Sequence, residues 1–143
     1  IMIRIILTVI AVAVASAGCR SVRVAEDGRV AESMSLRAVA HNTRSPEMGK
    51  IYAHDGGRSM KVIQALKGGV LVRPVVGDFE LEFRGRSAID EKMTIYIETS
   101  CDYVDDEYLR RGLFEYNGRY TYTSVSGANV TVRSFREVPI SHQ

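Results

Sequence analysis

His54, Asp55 and Ser59 are the residue types of a hydrolytic triad, with an acid to orient, an imidazole to take the proton and a hydroxyl to attack. They fall in one glycine-rich stretch, but a triad is defined by geometry, and no Gly-x-Ser-x-Gly elbow surrounds Ser59. The stretch therefore reads as a turn, with a small hydrolase built on His54 as the alternative. Asp102, Asp105, Asp106 and Glu107 could offer oxygens to a hard cation, which needs six to eight of them. Their spacing has neither the glycine nor the distal glutamate of a calcium loop. They read instead as solvated carboxylates at the start of a short helix around residues 105–109, where the helix dipole favours them. His41, His54 and His142 lie far apart in the sequence, so neither a metal site nor a cofactor is expected.

A second set combines cations with flat rings. Arg110, Arg111 and Arg119 lie near Tyr116, Tyr120 and Tyr122, with Arg133 and Arg136 further along. On one face of a small barrel these side chains would suit an anionic glycan or a lipid head group. Single-stranded nucleic acid is held by the same chemistry. A formal net charge of +2 over 143 residues gives too weak a field for it, so no nucleic-acid partner is expected.

The elements that must position these groups begin after an unusual start. Residues 1–18 hold a single charge, Arg4, ahead of an apolar run interrupted only by Thr8, and the small residues Ala15, Ser16, Ala17 and Gly18 follow. That is the pattern of a secretory signal peptide, and it is too short for a membrane-spanning helix before Arg20 and Arg23 restore charge. The junction Ser16, Ala17, Gly18, Cys19 resembles the lipobox of bacterial lipoproteins, with Ser16 where leucine is usual. The resemblance implies cleavage before Cys19 and acylation of its thiol, and Arg20 rather than Asp after the cysteine favours the outer membrane. Ala15, Ser16 and Ala17 also suit the ordinary signal peptidase, which would release a soluble secreted protein. With Cys19 acylated, Cys101 has no partner for an intramolecular disulfide. Nothing basic flanks it to activate the thiol, so it is expected to be buried at a strand end.

All eleven aromatic residues lie at or beyond Tyr52. The expected organisation is a signal peptide over residues 1–18, a tether over 19–49, a β domain over 50–137 and a tail over 138–143. Within the tether a weak apolar side, Met34, Leu36, Val39 and Ala40, allows a short helix. In the domain, Phe79, Leu81 and Phe83 alternate with charges, and Met93, Ile95 and Ile97 alternate with Thr94, Tyr96 and Glu98, the period of half-buried strands. Residues 60–66 and 70–76 flank a glycine turn and read as a hairpin whose second arm is an edge or is broken at Pro74. Asn117 and Gly118 could turn a hairpin, but residues 113–123 read instead as one long strand kinked at Gly118, keeping Phe114, Tyr116, Tyr120 and Tyr122 on one face. A turn at Gly127 then leads into a strand from Asn129.

The fold class expected is mainly β, a small OB- or SH3-like barrel or a strongly curved antiparallel sheet. Lys61 to Leu66, Tyr103 to Asp105, Gly118, Tyr120, Tyr122, Gly127, Ala128, Thr131, Val132 and Phe135 together resemble a small β module of exported bacterial proteins. That resemblance implies the fold and no activity. The function expected is a non-enzymatic, membrane-anchored envelope lipoprotein that binds an envelope protein, a glycan or an anionic lipid, or has a structural role. A small exported hydrolase or cation-binding enzyme is the alternative.

Overall fold

A computed structural model describes residues 23–42, 45–75 and 93–141. The signal segment, Cys19, the expected strand around Phe79, and His142 lie outside them. Among the described residues a single short helix, α1 (Leu36–His41), precedes six strands: β1 (Ile51–His54), β2 (Met60–Leu66), β3 (Gly69–Pro74), β4 (Ile95–Glu98), β5 (Gly112–Thr123) and β6 (Asn129–Val138). The chain is mainly β, and the strands form one strongly curled sheet, a half-barrel, in the order β1-β5-β6-β4-β3-β2. All neighbours are antiparallel except β4 and β6, which run parallel, so the sheet is mixed rather than antiparallel throughout. Parallel neighbours need a long crossover. Here it consists of residues 99–111 together with β5, which lies on the far side of β6.

The crossover also covers an edge. Residues 105–109 lie along β2: Val62 N–H donates to Glu107 O at 2.7 Å, Asp106 N–H to Val62 O at 2.8 Å and Leu109 N–H to Met60 O at 2.8 Å. The helix expected here is absent, because these backbone groups pair with β2 instead of one another. At the opposite edge Glu32 N–H donates to Ile51 O at 2.8 Å and Ser35 bridges Ala53 in parallel. Both edges are thus shielded from pairing with another chain. Pro74 ends β3, so of the two alternatives the strand is broken there, and it is an interior strand rather than an edge.

The main core fills the face that carries α1, here the inner face. Val62, Val70, Val72, Ile95, Ile97, Phe114, Tyr116 and Phe135 pack there against Leu36, Val39 and Ala40. Tyr52 and Tyr116 meet Phe135 edge to face, with ring centroids 6.0 and 5.4 Å apart. Helix α1 starts where Ser35 Oγ accepts from Ala38 N–H at 3.1 Å, which satisfies one of the free donors of the first turn. It ends with Asn42 N–H donating to Val39 O, and Arg133 Nη1 donates to the same carbonyl at 2.9 Å.

The segment expected as a tether is part of the domain from Arg23 onward. Residues 23–31 form a small hairpin, closed by Ala25 N–H on Arg29 O and by Gly28 at φ +91°. Its inward side chains, Ala25 and Ala31, are buried with Ile51, Ala53, Leu113 and Val138 on the outer face. Arg29 holds the hairpin down through Glu115 at 2.8 Å and braces its turn through Asp27 at 2.7 Å, and its hydrogen bonds keep the Asp27 carboxyl below its ordinary range. The composition of residues 19–49 suggests a tether because the segment has no aromatic residue; Ala25, Ala31 and Ala40 with Leu36 and Val39 suffice to dock it. The domain also runs past the boundary expected at residue 137, since Val138 is buried and Ile140 bridges Ala25.

Candidate functional site

Strand β5 decides where the tyrosines go. Tyr116 pairs with Phe135, but Gly118 pairs with Ser134, so Asn117 is an extra residue in the ladder. Gly118, at φ +118°, takes the backbone through a conformation that favours glycine. The kink is where the sequence put it. A one-residue bulge, however, exchanges the faces on its far side. Phe114 and Tyr116 point into the main core, whereas Tyr120 and Tyr122 point to the outer face, so the four rings expected on one face are divided.

On the outer face Tyr120 stacks on Tyr96 with centroids 3.7 Å apart and planes 9° from parallel. Leu71, Tyr96 and Val132 form the buried floor, and half-buried Ile63, Leu66, Tyr120, Tyr122 and Val130 surround it. Gly69 makes room for the Tyr96 ring, since a Cβ there would come within 2.5 Å of its hydroxyl end. Burial pushes the Tyr96 phenol above its ordinary pKa. This is a curved patch of rings and branched aliphatic side chains on a sheet face, able to take an apolar surface against it and to hydrogen-bond at the ring hydroxyls.

The arginines expected beside these rings are elsewhere. Arg110 and Arg111 precede β5, while Arg119 lies eight residues beyond Arg111, on the order of 25 Å along an extended strand. Arg110 caps the ring of Tyr103 at 4.7 Å and donates to Asp102 O. Arg111 is exposed beside Gly56. Arg119 pairs with Arg133 and shares its face, the one opposite Tyr120. The six residues singled out in sequence therefore do not converge: Tyr116 belongs to the core, the arginines are dispersed, and only Tyr120 and Tyr122 remain in the patch.

The other chemical sets separate as well. His54 is buried, its ring Nε2 is 3.1 Å from Leu109 O, and burial lowers its pKa. That carbonyl can only accept, so Nε2 carries the proton and faces backbone rather than Ser59. Asp105 Oδ1 accepts from Ala65 N–H at 2.9 Å, Glu107 Oε2 from Val104 N–H at 2.9 Å, and Asp106, at φ +74°, pairs with Lys61 at 3.5 Å. The carboxylates build the edge-covering loop rather than a shared cation site. Cys101 follows β4 as expected but is exposed, with Sγ 3.8 Å from Glu137 Oε2. A cleft of about 350 Å³ between α1 and β1 has Val39 and Tyr52 at its base, and its Lys50 and Glu32 pair at 3.6 Å.

No protein-family model, no curated protein and no solved structure matches the chain. Among the described residues no helix is long and apolar enough to cross a membrane. Sequence reasoning missed Tyr96, Ile63, Leu66 and Val130 as members of the patch. Tyr96 carried a signal, being an aromatic residue on the otherwise polar side of its strand.

Proposed function

We propose that this protein is an exported, membrane-anchored binding module, held by lipid on Cys19 and presenting the Tyr96–Tyr120–Tyr122 patch to a glycan of the cell envelope. The amino-terminal pattern around Cys19 supports the anchor, and the stacked tyrosine pair on the sheet's outer face supports the binding role. That pair is the observation on which the reading rests. Partly exposed clusters of rings and aliphatic groups mark interaction surfaces, and a tyrosine ring offers an apolar face to the C–H face of a sugar and a hydroxyl to its edge. The hydrolase alternative loses support, because His54 would have to leave a buried carbonyl to reach Ser59.

Sedimentation with purified peptidoglycan sacculi tests the reading. Wild-type protein is expected in the pellet, and Tyr120→Ala with Tyr122→Ala should weaken binding by about tenfold or more, the scale of an interface centre. The Arg110→Ala, Arg111→Ala, Arg119→Ala triple variant should retain binding, since these side chains do not share the patch. Loss of binding in the arginine variant but not in the tyrosine variant would reject the assignment.

A further inference from the structure

The hairpin at the start of the domain alternates strictly. Ala25 and Ala31 are buried against the outer face of the sheet, whereas Val24 and Val30, cross-strand partners between them, point outward at 39% and 66% exposure. Met48, 66% exposed, borders the same shallow depression as Val30, together with Arg29, Glu32 and Lys50. The three apolar side chains therefore form one exposed patch. Four peptide steps separate Cys19 from Arg23, at most about 14 Å when fully extended. That reach is about twice the polar layer of a bilayer leaflet, roughly 5–8 Å thick, so an acyl group on Cys19 would keep the hairpin within reach of the lipid surface.

The geometry points to a phospholipid bilayer as the occupant of this patch: Val24, Val30 and Met48 sit at the boundary between head groups and acyl chains, and with the lipid on Cys19 they fix one orientation of the domain. The inference rests on the reading of Cys19 as the acylated residue. The contact is apolar rather than electrostatic. Arg29 is held by Asp27 and Glu115, and Lys50 by Glu32, so the charges around the patch are paired within the protein. Seating the hairpin in this way leaves the tyrosine patch toward the other end of β5. Tyr122 lies seven residues beyond Glu115, the hairpin's partner, or on the order of 20 Å along the strand.

The chain contains no tryptophan, so single-tryptophan variants report cleanly. Val30→Trp, Met48→Trp and, as a control, Val125→Trp in the fully exposed β5–β6 turn are placed in the full acylated protein and reconstituted into phosphatidylcholine vesicles containing brominated lipid. Emission at positions 30 and 48 should fall by at least about twofold, as for side chains buried at the acyl boundary, and position 125 should be unaffected. High salt should leave the quenching unchanged. Equal quenching at all three positions overturns the seating, as does a blue shift at position 30 that depends on protein density and not on bromine, which would mean that a second copy covers the patch. Mass spectrometry of the same sample separates the two levels: an acylated Cys19 without quenching rejects the seating alone, whereas an unmodified terminus rejects the anchor on which it rests.

Discussion

Gly69 and His54 show how single residues set the packing here. Replacing Gly69 by alanine would drive a methyl group into the Tyr96 ring and the Ile97 carbonyl, which belongs to the backbone of the neighbouring strand and cannot swing away. Gly69→Ala is expected to cost about 1–3 kcal/mol, the usual range for overpacking, and to disturb the Tyr96–Tyr120 stack; urea denaturation and near-ultraviolet circular dichroism measure both. His54 makes stability depend on pH. Its pKa in the folded protein lies below the ordinary 6.5 because burial disfavours the charged ring. The unfolded chain therefore takes up the proton first as pH falls. Stability is full above about pH 6.5 and declines below it. Thermal unfolding between pH 5 and 7.5 should show that loss in the wild type and a flatter profile in His54→Gln; equal slopes would mean that another group dominates.

At the scale of elements, α1 falls where the apolar side of Leu36, Val39 and Ala40 allowed a helix, and it is the docking of α1 and of the hairpin before it that was least expected. Leu36 is fully buried, and Leu36→Ala is expected to cost about 2–5 kcal/mol. A fragment starting at Lys50 should fail to fold cooperatively, while one starting at Arg23 should unfold in a single transition; chemical denaturation of the two distinguishes a docked segment from a tether. Strands β2 to β6 were legible because local signals mark them: apolar arms either side of the Gly68 turn for β2 and β3, alternation of apolar residues for β4, and the turn at Gly127 between β5 and β6. The kink at Gly118 was legible for the same reason. Its consequence was not, because whether a glycine bends a strand with or without an extra residue depends on the register with β6, and register is a property of two strands. The parallel pairing of β4 with β6 is equally non-local. The docking of residues 23–42 was hidden because Ala25, Ala31 and Ala40 contribute little to any apolar count yet fit closely against Ile51, Leu113 and Val138 or, for Ala40, in the main core.

For the molecule as a whole, the division of faces assigns the parts. The inner face is a closed core under α1, one end of the outer face is covered by the amino-terminal hairpin, and the other end carries the half-exposed tyrosine patch. An anchor four residues before the hairpin would place that covered end at the lipid, with the patch on the order of 20 Å further along β5. The proposed anchor and orientation both depend on Cys19. Mass spectrometry of the mature amino terminus, taken from protein extracted from membranes, tests this directly. The account expects a chain beginning at Cys19 with a diacylglyceryl group on its sulfur; an unmodified chain beginning at Gly18 would contradict it.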